Sequence, residues 1–234
     1  MIDWHSHILP RIDDGSCDID ESIALLSMLK HQGVGIVAAT PHFFADDMSV
    51  EKFLSRRKQS LDAVRAALQD SEIDIVTGAE VRYYPGIGKL DGLEKLCIGG
   101  SNLLLLEMPM GEWTDYTVRE LSEIANTSGV RLILAHIERY LTMQRERSWS
   151  KLYDSGILMQ VNASFFNEFG TRRKALSMLK KGNIHIVGSD CHNLKYRPPK
   201  LDKAYAIIKK KLGDDFVTQL NEYGCSLLNT NKTV

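Results

Sequence analysis

Ile2-Asp3-Trp4-His5-Ser6-His7-Ile8-Leu9-Pro10-Arg11-Ile12-Asp13-Asp14-Gly15 opens the chain, and the remainder can be ordered around it. The stretch starts with the character of a strand and ends as a polar loop. Side chains two apart on a strand share a face, so His5 and His7 present two imidazoles to one point in space, as a metal chelate requires. A His-x-His pair by itself is also an ordinary surface occurrence. What the other strands carry at the same end decides between the two readings.

Working outward, Asp18 or Asp20 can cap a helix whose apolar residues Ile23, Leu25, Leu26 and Leu29 recur at helical spacing until Gly33. Residues 35–40 read as a short buried strand ending at Pro41-His42. A helix starting near Ser49 and passing Leu61, Val64 and Leu68 leads to a strand from Ile73 to Val81, with Glu80 near its end. The glycines between Pro85 and Leu96 leave that segment without a clear element. Leu103-Leu104-Leu105-Leu106 is an apolar run closed by Glu107-Met108-Pro109. A helix over Thr114 to Thr127 precedes the strand Arg131 to Ala135, which ends at His136. After residues 144–154 comes a strand from Ile157 to Asn162, then a helix from Thr171 to Lys181. The strand Ile184 to Gly188 ends in Ser189-Asp190-Cys191-His192, and Lys200 to Asn221 reads as helical.

Seven strands alternating with helices imply parallel strands joined by helical crossovers. Most strands are continuously apolar, as when both faces of a sheet are covered. A closed or nearly closed barrel is favoured, with an open doubly wound sheet as the alternative. No low-complexity linker or composition break interrupts residues 1–234, so a single domain is expected.

The 44% hydrophobic and 25% charged residues are those of an ordinary globular chain. No apolar run approaches a bilayer span, and the start shows no basic and apolar leader pattern, so a cytoplasmic location without membrane insertion is expected. A net charge of -1 provides no electrostatic footprint for nucleic acid, and Lys209-Lys210-Lys211 reads as the solvated face of a helix. Cys17, Cys97, Cys191 and Cys225 form no Cys-x-x-Cys pair, which argues against a disulfide framework or a zinc knuckle.

On this frame His5 and His7 close the first strand, His42 follows the second, Glu80 lies near the end of the third and Glu107 closes the fourth. His136 closes the fifth, and Asp190 with His192 closes the seventh. All lie at carboxyl ends of parallel strands, the face on which barrels carry active sites. Five of the seven histidines fall there, while His31 and His185 read as structural. Any one of these groups has an ordinary reading as a core histidine or a rim carboxylate. Together, three carboxylates and five imidazoles in one cavity would leave unpaired charge, at a cost of several kcal/mol unless cations neutralise it. Imidazoles and carboxylates without thiolates suit manganese, iron or zinc. So many ligands exceed the needs of one ion, and a two- or three-metal cluster is the arrangement that clamps a phosphoryl displacement.

The motifs resemble, in order, those of the PHP (polymerase and histidinol phosphatase) superfamily. They are Asp3-x-His5-x-His7-Ile8-Leu9-Pro10 with Asp13-Asp14-Gly15, Thr40-Pro41-His42, Gly78-Ala79-Glu80-Val81, Leu106-Glu107-Met108-Pro109, Ala135-His136-Ile137-Glu138-Arg139-Tyr140 and Gly188-Ser189-Asp190-Cys191-His192-Asn193. More narrowly, Asp13-Asp14-Gly15, His136-x-Glu138-Arg139-Tyr140 and Arg197-Pro198-Pro199 are similar to the metal-dependent protein-tyrosine phosphatases encoded beside bacterial capsule and exopolysaccharide genes. The resemblance implies an α/β fold, a distorted (β/α)7 barrel, with two to three divalent metal ions, manganese foremost and iron or zinc as alternatives. By position His5, His7, Glu80 and Asp190 would hold one ion, Glu80, Glu107 and His136 a second, and Asp14, His42 and His192 a third. Asp3 would orient a ligand histidine by accepting its other N–H. Asp13 is not carried over, and a loop-stabilising role serves for it equally well.

Arg139 lies three residues past His136 and Arg197 five past His192, so both can overhang the mouth. A guanidinium fork matches phosphate oxygens, and the resembling branch places its phosphate clamps here. The implied reaction is direct hydrolysis of a phosphotyrosyl protein, a bacterial tyrosine autokinase, with water activated by the metals. Phe43, Phe44, Trp113 and Tyr140 lie just beyond ligand positions, where they could contact the phenyl ring. Three rival readings accompany this one. Cys191 and Arg197 stand in the Cys-x5-Arg relation of cysteine-dependent phosphatases, although no glycine lies between them and Pro198 follows the arginine. The same metal centre could serve a small alcohol phosphate such as histidinol phosphate. A non-catalytic, metal-stabilised interaction module is the third.

Overall fold

The computed structural model describes residues 1–68 and 73–228, so residues 69–72 and 229–234 of the expected domain lie outside the described part. The strands are β1 (Ile2–Ser6), β2 (Ile36–Ala39), β3 (His42–Phe43), β4 (Asp74–Thr77), β5 (Glu80–Arg82), β6 (Leu103–Glu107), β7 (Arg131–Leu134), β8 (Leu158–Asn162) and β9 (Ile186–Gly188). The helices are α1 (Ile19–His31), α2 (Val50–Ala67), α3 (Asp115–Thr127), α4 (Glu146–Asp154), α5 (Ser164–Asn167), α6 (Phe169–Lys180), α7 (Leu201–Leu212) and α8 (Asp214–Leu227).

All strand pairs are parallel, in two sheets ordered β1-β2-β4 and β3-β5-β6-β7-β8-β9. The seven expected strand positions are present, but the second and third are each broken into two pieces. Thr40-Pro41 separates β2 from β3, because proline has no N–H to give to a ladder. Gly78-Ala79 separates β4 from β5, and Gly78 lies so close to Ile98 that a Cβ there would come within 2.7 Å of Ile98 Cγ1. The lower pieces continue the sheet from β1, and the upper pieces belong with β6. The ring closes between the first and last positions: His7 N donates to Cys191 O at 2.9 Å and Asp190 N to His5 O at 2.7 Å. This contact makes the fold a distorted parallel barrel and excludes the open doubly wound sheet.

Alternation along the strands sorts the apolar residues into two layers. Leu104, Leu106, Leu132 and Leu134 pack outward with helix residues such as Leu25, Leu29, Val64 and Leu121. Their neighbours Leu103, Leu105, Ile133 and Ala135 join Ile2, Trp4, Ile36, Leu158 and Ile186 inside the barrel, where Tyr223, Leu227 and Leu228 close the amino end. The polar groups are therefore confined to the opposite, carboxyl end. The β1–β2 register slips between Asp3 and Ser6, and across this irregularity Trp4 stays with the apolar interior while His5 joins the polar cluster.

The helix starts follow capping chemistry. Asp18 caps α1, accepting from Glu21 N at 2.9 Å, which leaves Asp20 as an acidic residue of the first turn. Ser49 and Thr114 cap α2 and α3 in the same way. Residues 146–154 form α4, anchored by the buried Trp149 and Leu152. The helical C-terminal segment is two helices, divided at Gly213, whose φ of 100° no helix accommodates. Residues 87–100 contain three short 3₁₀ turns in place of a helix. Lys209, Lys210 and Lys211 are solvated, as expected. No described helix is long and apolar enough to cross a membrane.

Candidate metal centre

The strand ends bring the expected residues to one point. His5 Nε2 and His7 Nε2 are 3.1 Å apart. Glu80 sits between the imidazoles: its Oε2 lies 3.2 Å from His5 Nε2, 3.4 Å from His7 Nε2 and 3.0 Å from His42 Nδ1, and its Oε1 lies 2.8 Å from His136 Nε2. Asp190 Oδ1 is 3.7 Å from His5 Nε2 and 3.5 Å from His7 Nε2. Asp14 Oδ1 reaches within 3.4 Å of both His42 Nε2 and His192 Nε2 from the exposed rim. Glu107 Oε1 is 3.6 Å from His136 Nε2. Three groups have ligand atoms close enough to share an ion: His7, Asp14, His42 and His192; His5, His7 and Asp190; and His42, Glu80 and Glu107.

The imidazoles are held with lone pairs facing inward. His7 Nδ1 donates to Asp13 Oδ2 at 2.7 Å, and His192 Nδ1 to its neighbour's carbonyl, Asp190 O, at 3.1 Å. His5 Nδ1 lies 3.3 Å from Gln160 Oε1. That oxygen also accepts the His136 backbone N–H at 2.7 Å, which fixes the orientation of the amide. His5 therefore donates from Nδ1 and keeps Nε2 free. Two free lone pairs 3.1 Å apart require a cation or a shared proton between them. His42 Nδ1 and His192 Nε2 are buried and accept or donate no hydrogen bond, although both face the cluster. This donor set fits a group of divalent ions.

The role of Asp3 differs from the one expected, Asp13 has a second one, and two further residues join the site. Asp3 does not touch a ligand ring: it accepts from Ser189 N at 2.7 Å, Ser189 Oγ at 2.6 Å and the His5 backbone N–H at 3.3 Å, tying β1 to the end of β9. Asp13 stabilises its loop as expected, accepting the Gly15 N–H at 3.0 Å, and it is also the carboxylate that orients a histidine and accepts the His42 N–H at 2.9 Å. Gln160 and Asn162 escaped the sequence reading altogether. Gln160 Nε2 donates to Asn162 Oδ1 at 3.0 Å and Asn162 Nδ2 to Asp190 Oδ2 at 2.7 Å, so the pair links His5, His136 and Asp190. Two amides at i and i+2 on an otherwise apolar strand were the available signal. Gly188 leaves room for this arrangement, since a Cβ there would come within 2.6 Å of His5 Cβ. Gln160→Leu should weaken metal binding by roughly 10- to 100-fold, measured by competition with a chelator of known affinity. Unchanged affinity would reduce Gln160 to a packing residue.

Without ions, protons bear part of the burden. Burial alone would lower the His7 imidazole, but Asp13 and Glu80 override it and hold the pKa at about 10. His5 is raised as well, against its burial, by Glu80 and Asp190. Burial opposes ionisation of Glu80, yet the surrounding imidazoles keep it well below the usual carboxylate range. Burial and the neighbouring His7 push His192 down to about 4, so near neutrality it is unprotonated. Below about pH 10, an ion arriving at His7 Nε2 must displace a proton, whereas Glu80 and His192 have none to give. Metal uptake between neutral pH and pH 9 should therefore release about one proton or more, and apparent affinity should rise with pH. Titration in a weakly buffered cell checks this, and pH-independent affinity over that range would contradict it.

Arg139 and Arg197 converge on the same carboxylate: each places an Nη2 at 2.7 Å from Asp190 Oδ2, leaving Oδ1 for the cluster. Both guanidiniums remain partly exposed at the mouth. His136 and Asp190 have φ of 32° and 52°, a left-handed backbone that costs about 1 kcal/mol or more outside glycine and collects at functional sites. Of the four aromatics placed near the substrate ring, Phe43, Trp113 and Tyr140 are buried core residues. Phe44 alone is partly accessible, stacked on His42 at 5.4 Å. Cys191 is fully buried, and burial with the Asp3 charge pushes its thiol far above the ordinary range. A buried thiol held in its protonated form is poorly suited to be a nucleophile at the mouth. His185 is structural, accepting the Met159 N–H at 2.9 Å and held at about 4 by burial.

A parallel barrel that gathers overlapping imidazole and carboxylate clusters beneath two guanidiniums defines the PHP class of metal-site folds. Within it, the chain belongs to the CpsB/CapC family of capsular polysaccharide synthesis, whose profile matches residues 1–227. It is 33% identical over 234 residues to the tyrosine-protein phosphatase CpsB of Streptococcus pneumoniae, covering 91% of each chain. It is 29% identical to the tyrosine-protein phosphatase YwqE of Bacillus subtilis, over 100% of this chain and 93% of that one. A crystal structure from work on YwqE of Bacillus subtilis and CpsB of Streptococcus pneumoniae, described as unique metal-dependent tyrosine phosphatases, shares the fold with a TM-score of 0.80. That match has 24% identity and covers 100% of this chain and 96% of the other.

Proposed function

We propose that this chain is a cytoplasmic metal-dependent protein-tyrosine phosphatase acting on a bacterial tyrosine autokinase that regulates capsule or exopolysaccharide synthesis. The observation that carries the reading is the convergence of Arg139 and Arg197 on Asp190, whose other oxygen faces the His5 and His7 cluster. His5, His7, Glu80 and Asp190 would hold one ion, Glu80, Glu107 and His136 another, and Asp14, His42 and His192 a third. Manganese is the favoured metal. Bound divalent ions supply Lewis acidity and lower the pKa of water.

The chain's own groups do the rest. Arg139 and Arg197 turn their free N–H groups to the phosphate oxygens and stabilise charge that builds up during transfer. Asp190 keeps the two guanidiniums together, and Asn162 keeps Asp190 in place. Tyrosine leaves as a phenolate of ordinary pKa near 10, so a strong proton donor is not needed. The half-buried Phe44 flanks His42, where an aromatic ring could rest.

Assays on a phosphotyrosine peptide, histidinol phosphate and phosphoserine after manganese loading test the proposal. A kcat/KM for histidinol phosphate well above that for the peptide would reject the tyrosine assignment while leaving the metal centre intact. Cys191→Ser should keep most of the activity, and chelator should abolish it in the parent protein. A folded, metal-loaded but inactive Cys191→Ser protein would restore the cysteine mechanism.

A further inference from the structure

Arg139 and Arg197 reach the same carboxylate oxygen from backbones of different kinds. Arg139 follows His136 in a 3₁₀ turn between the buried Ile137 and Tyr140, so the core fixes its place. Arg197 stands at the end of a loop whose other residues face solvent: Leu194 is 42% exposed, Tyr196 79% exposed, and Lys195 between them is exposed as well. Residues 192–200 form neither strand nor helix.

One side-chain oxygen shapes that loop. Asn193 Oδ1 accepts the backbone N–H groups of Lys195 at 3.2 Å, Tyr196 at 2.7 Å and Arg197 at 3.1 Å. An asparagine that receives N–H groups from further along its own chain imposes a turn with no help from a neighbouring strand. Three donors also settle which end of the amide faces the loop. The N–H of Leu194 goes to Glu21 Oε1 at 3.2 Å, and Arg197 O accepts from His192 N at 3.0 Å, which closes the loop on itself. Pro198 and Pro199 beyond it have no N–H to offer. At the end of this loop the Arg197 guanidinium lies 2.7 Å from Asp190 Oδ2.

We infer that Asn193 is a positioning residue: its side-chain oxygen folds the 193–197 loop and so sets Arg197 against Asp190 at the mouth. The inference rests on the phosphatase reading above only for what Arg197 then does, which is to meet the phosphate. Asn193 acts through that guanidinium alone.

The test reads Arg197 directly. Phenylglyoxal labelling of the metal-loaded full chain, quantified at each arginine by peptide mass spectrometry, reports how firmly a guanidinium is held. Arg139 is the internal control, since it pairs with the same Asp190 oxygen and its side chain is 37% exposed against 39% for Arg197. In Asn193→Ala, labelling of Arg197 should rise roughly threefold or more while that of Arg139 stays at the parent level. Asn193→Asp keeps an acceptor oxygen at the same place and should restore the parent pattern. On a phosphotyrosine peptide, kcat/KM of Asn193→Ala should fall on the order of tenfold or more, and the same change added to Arg197→Ala should cost less than about threefold further. Unchanged labelling of Arg197 in Asn193→Ala, an equal rise at Arg139, or an aspartate variant as reactive as the alanine one overturns the assignment. Full additivity of the two losses does so too. An Arg197→Ala protein with parent activity would instead refute the phosphate clamp, and the labelling comparison would still decide whether Asn193 holds Arg197.

Discussion

Glu80→Ala should lose on the order of a thousandfold or more in kcat/KM and should bind fewer metal ions than the parent chain. Among the described residues, Glu80 is the one carboxylate whose two oxygens both meet imidazoles of the cluster from opposite sides, Oε2 toward His5, His7 and His42 and Oε1 toward His136. Without it, four imidazoles surround a site with no bridging negative charge, and two ions held near each other would repel without compensation. Metal ions contribute several kcal/mol to charge stabilisation in phosphoryl transfer, and each 1.4 kcal/mol or so is a tenfold change in rate. Elemental analysis of the purified variant, alongside kcat/KM on a phosphotyrosine peptide, checks both halves. A variant with full metal content and near-parent activity would remove Glu80 from the centre.

Arg139→Ala and Arg197→Ala should each lose about a hundredfold or more in rate while metal content stays near that of the parent. Removing one charged donor from a site of developing charge costs roughly 2 to 4 kcal/mol of transition-state stabilisation. Neither guanidinium occupies an ion-binding position; both touch the cluster through Asp190 Oδ2, which Asn162 still holds in either variant, and Arg139 adds only a long contact of 3.9 Å to Glu107 Oε1. Lysine at either position should recover little, because an ammonium cannot reproduce the planar fork. Parallel measurements of kcat/KM and bound metal distinguish the outcomes. Loss of metal together with activity would make the arginines supports for Asp190 and not clamps for phosphate.

Much of the centre is legible in the sequence, for a topological reason. In a parallel barrel, a polar residue that interrupts an apolar run at a strand's carboxyl end has one destination, so His5, His136 and Asp190 could be assigned to one mouth by their place in the chain. The same reasoning reached His42, Glu80, Glu107 and His192, and the linear motifs added Asp14, Arg139 and Arg197. The breaks at Thr40-Pro41 and Gly78-Ala79 were written in the same residues, but the apolar character of the flanks hid them. Phe43, Trp113 and Tyr140 showed the opposite failure: their chain positions were near the site, yet helix packing buried the rings.

Sequence alone determined the alternation of strands and helices, the end of the barrel that carries polar groups, and the residue types that can meet there. These follow from local periodicity and from a connection rule that allows parallel strands only one sense. The tertiary structure alone decided which atom faces which. That Asp13 and not Asp3 orients a histidine, that Gln160 sets the tautomer of His5, and that both arginines share Asp190 Oδ2 depend on strand register and side-chain rotamers. The Gln160, Asp3 and Arg139 contacts join distant segments, while His7 to Asp13 and Asp190 to Arg197 depend on how their loops fold back; a hydrogen bond is won or lost over less than an ångström, a scale carried by no local pattern.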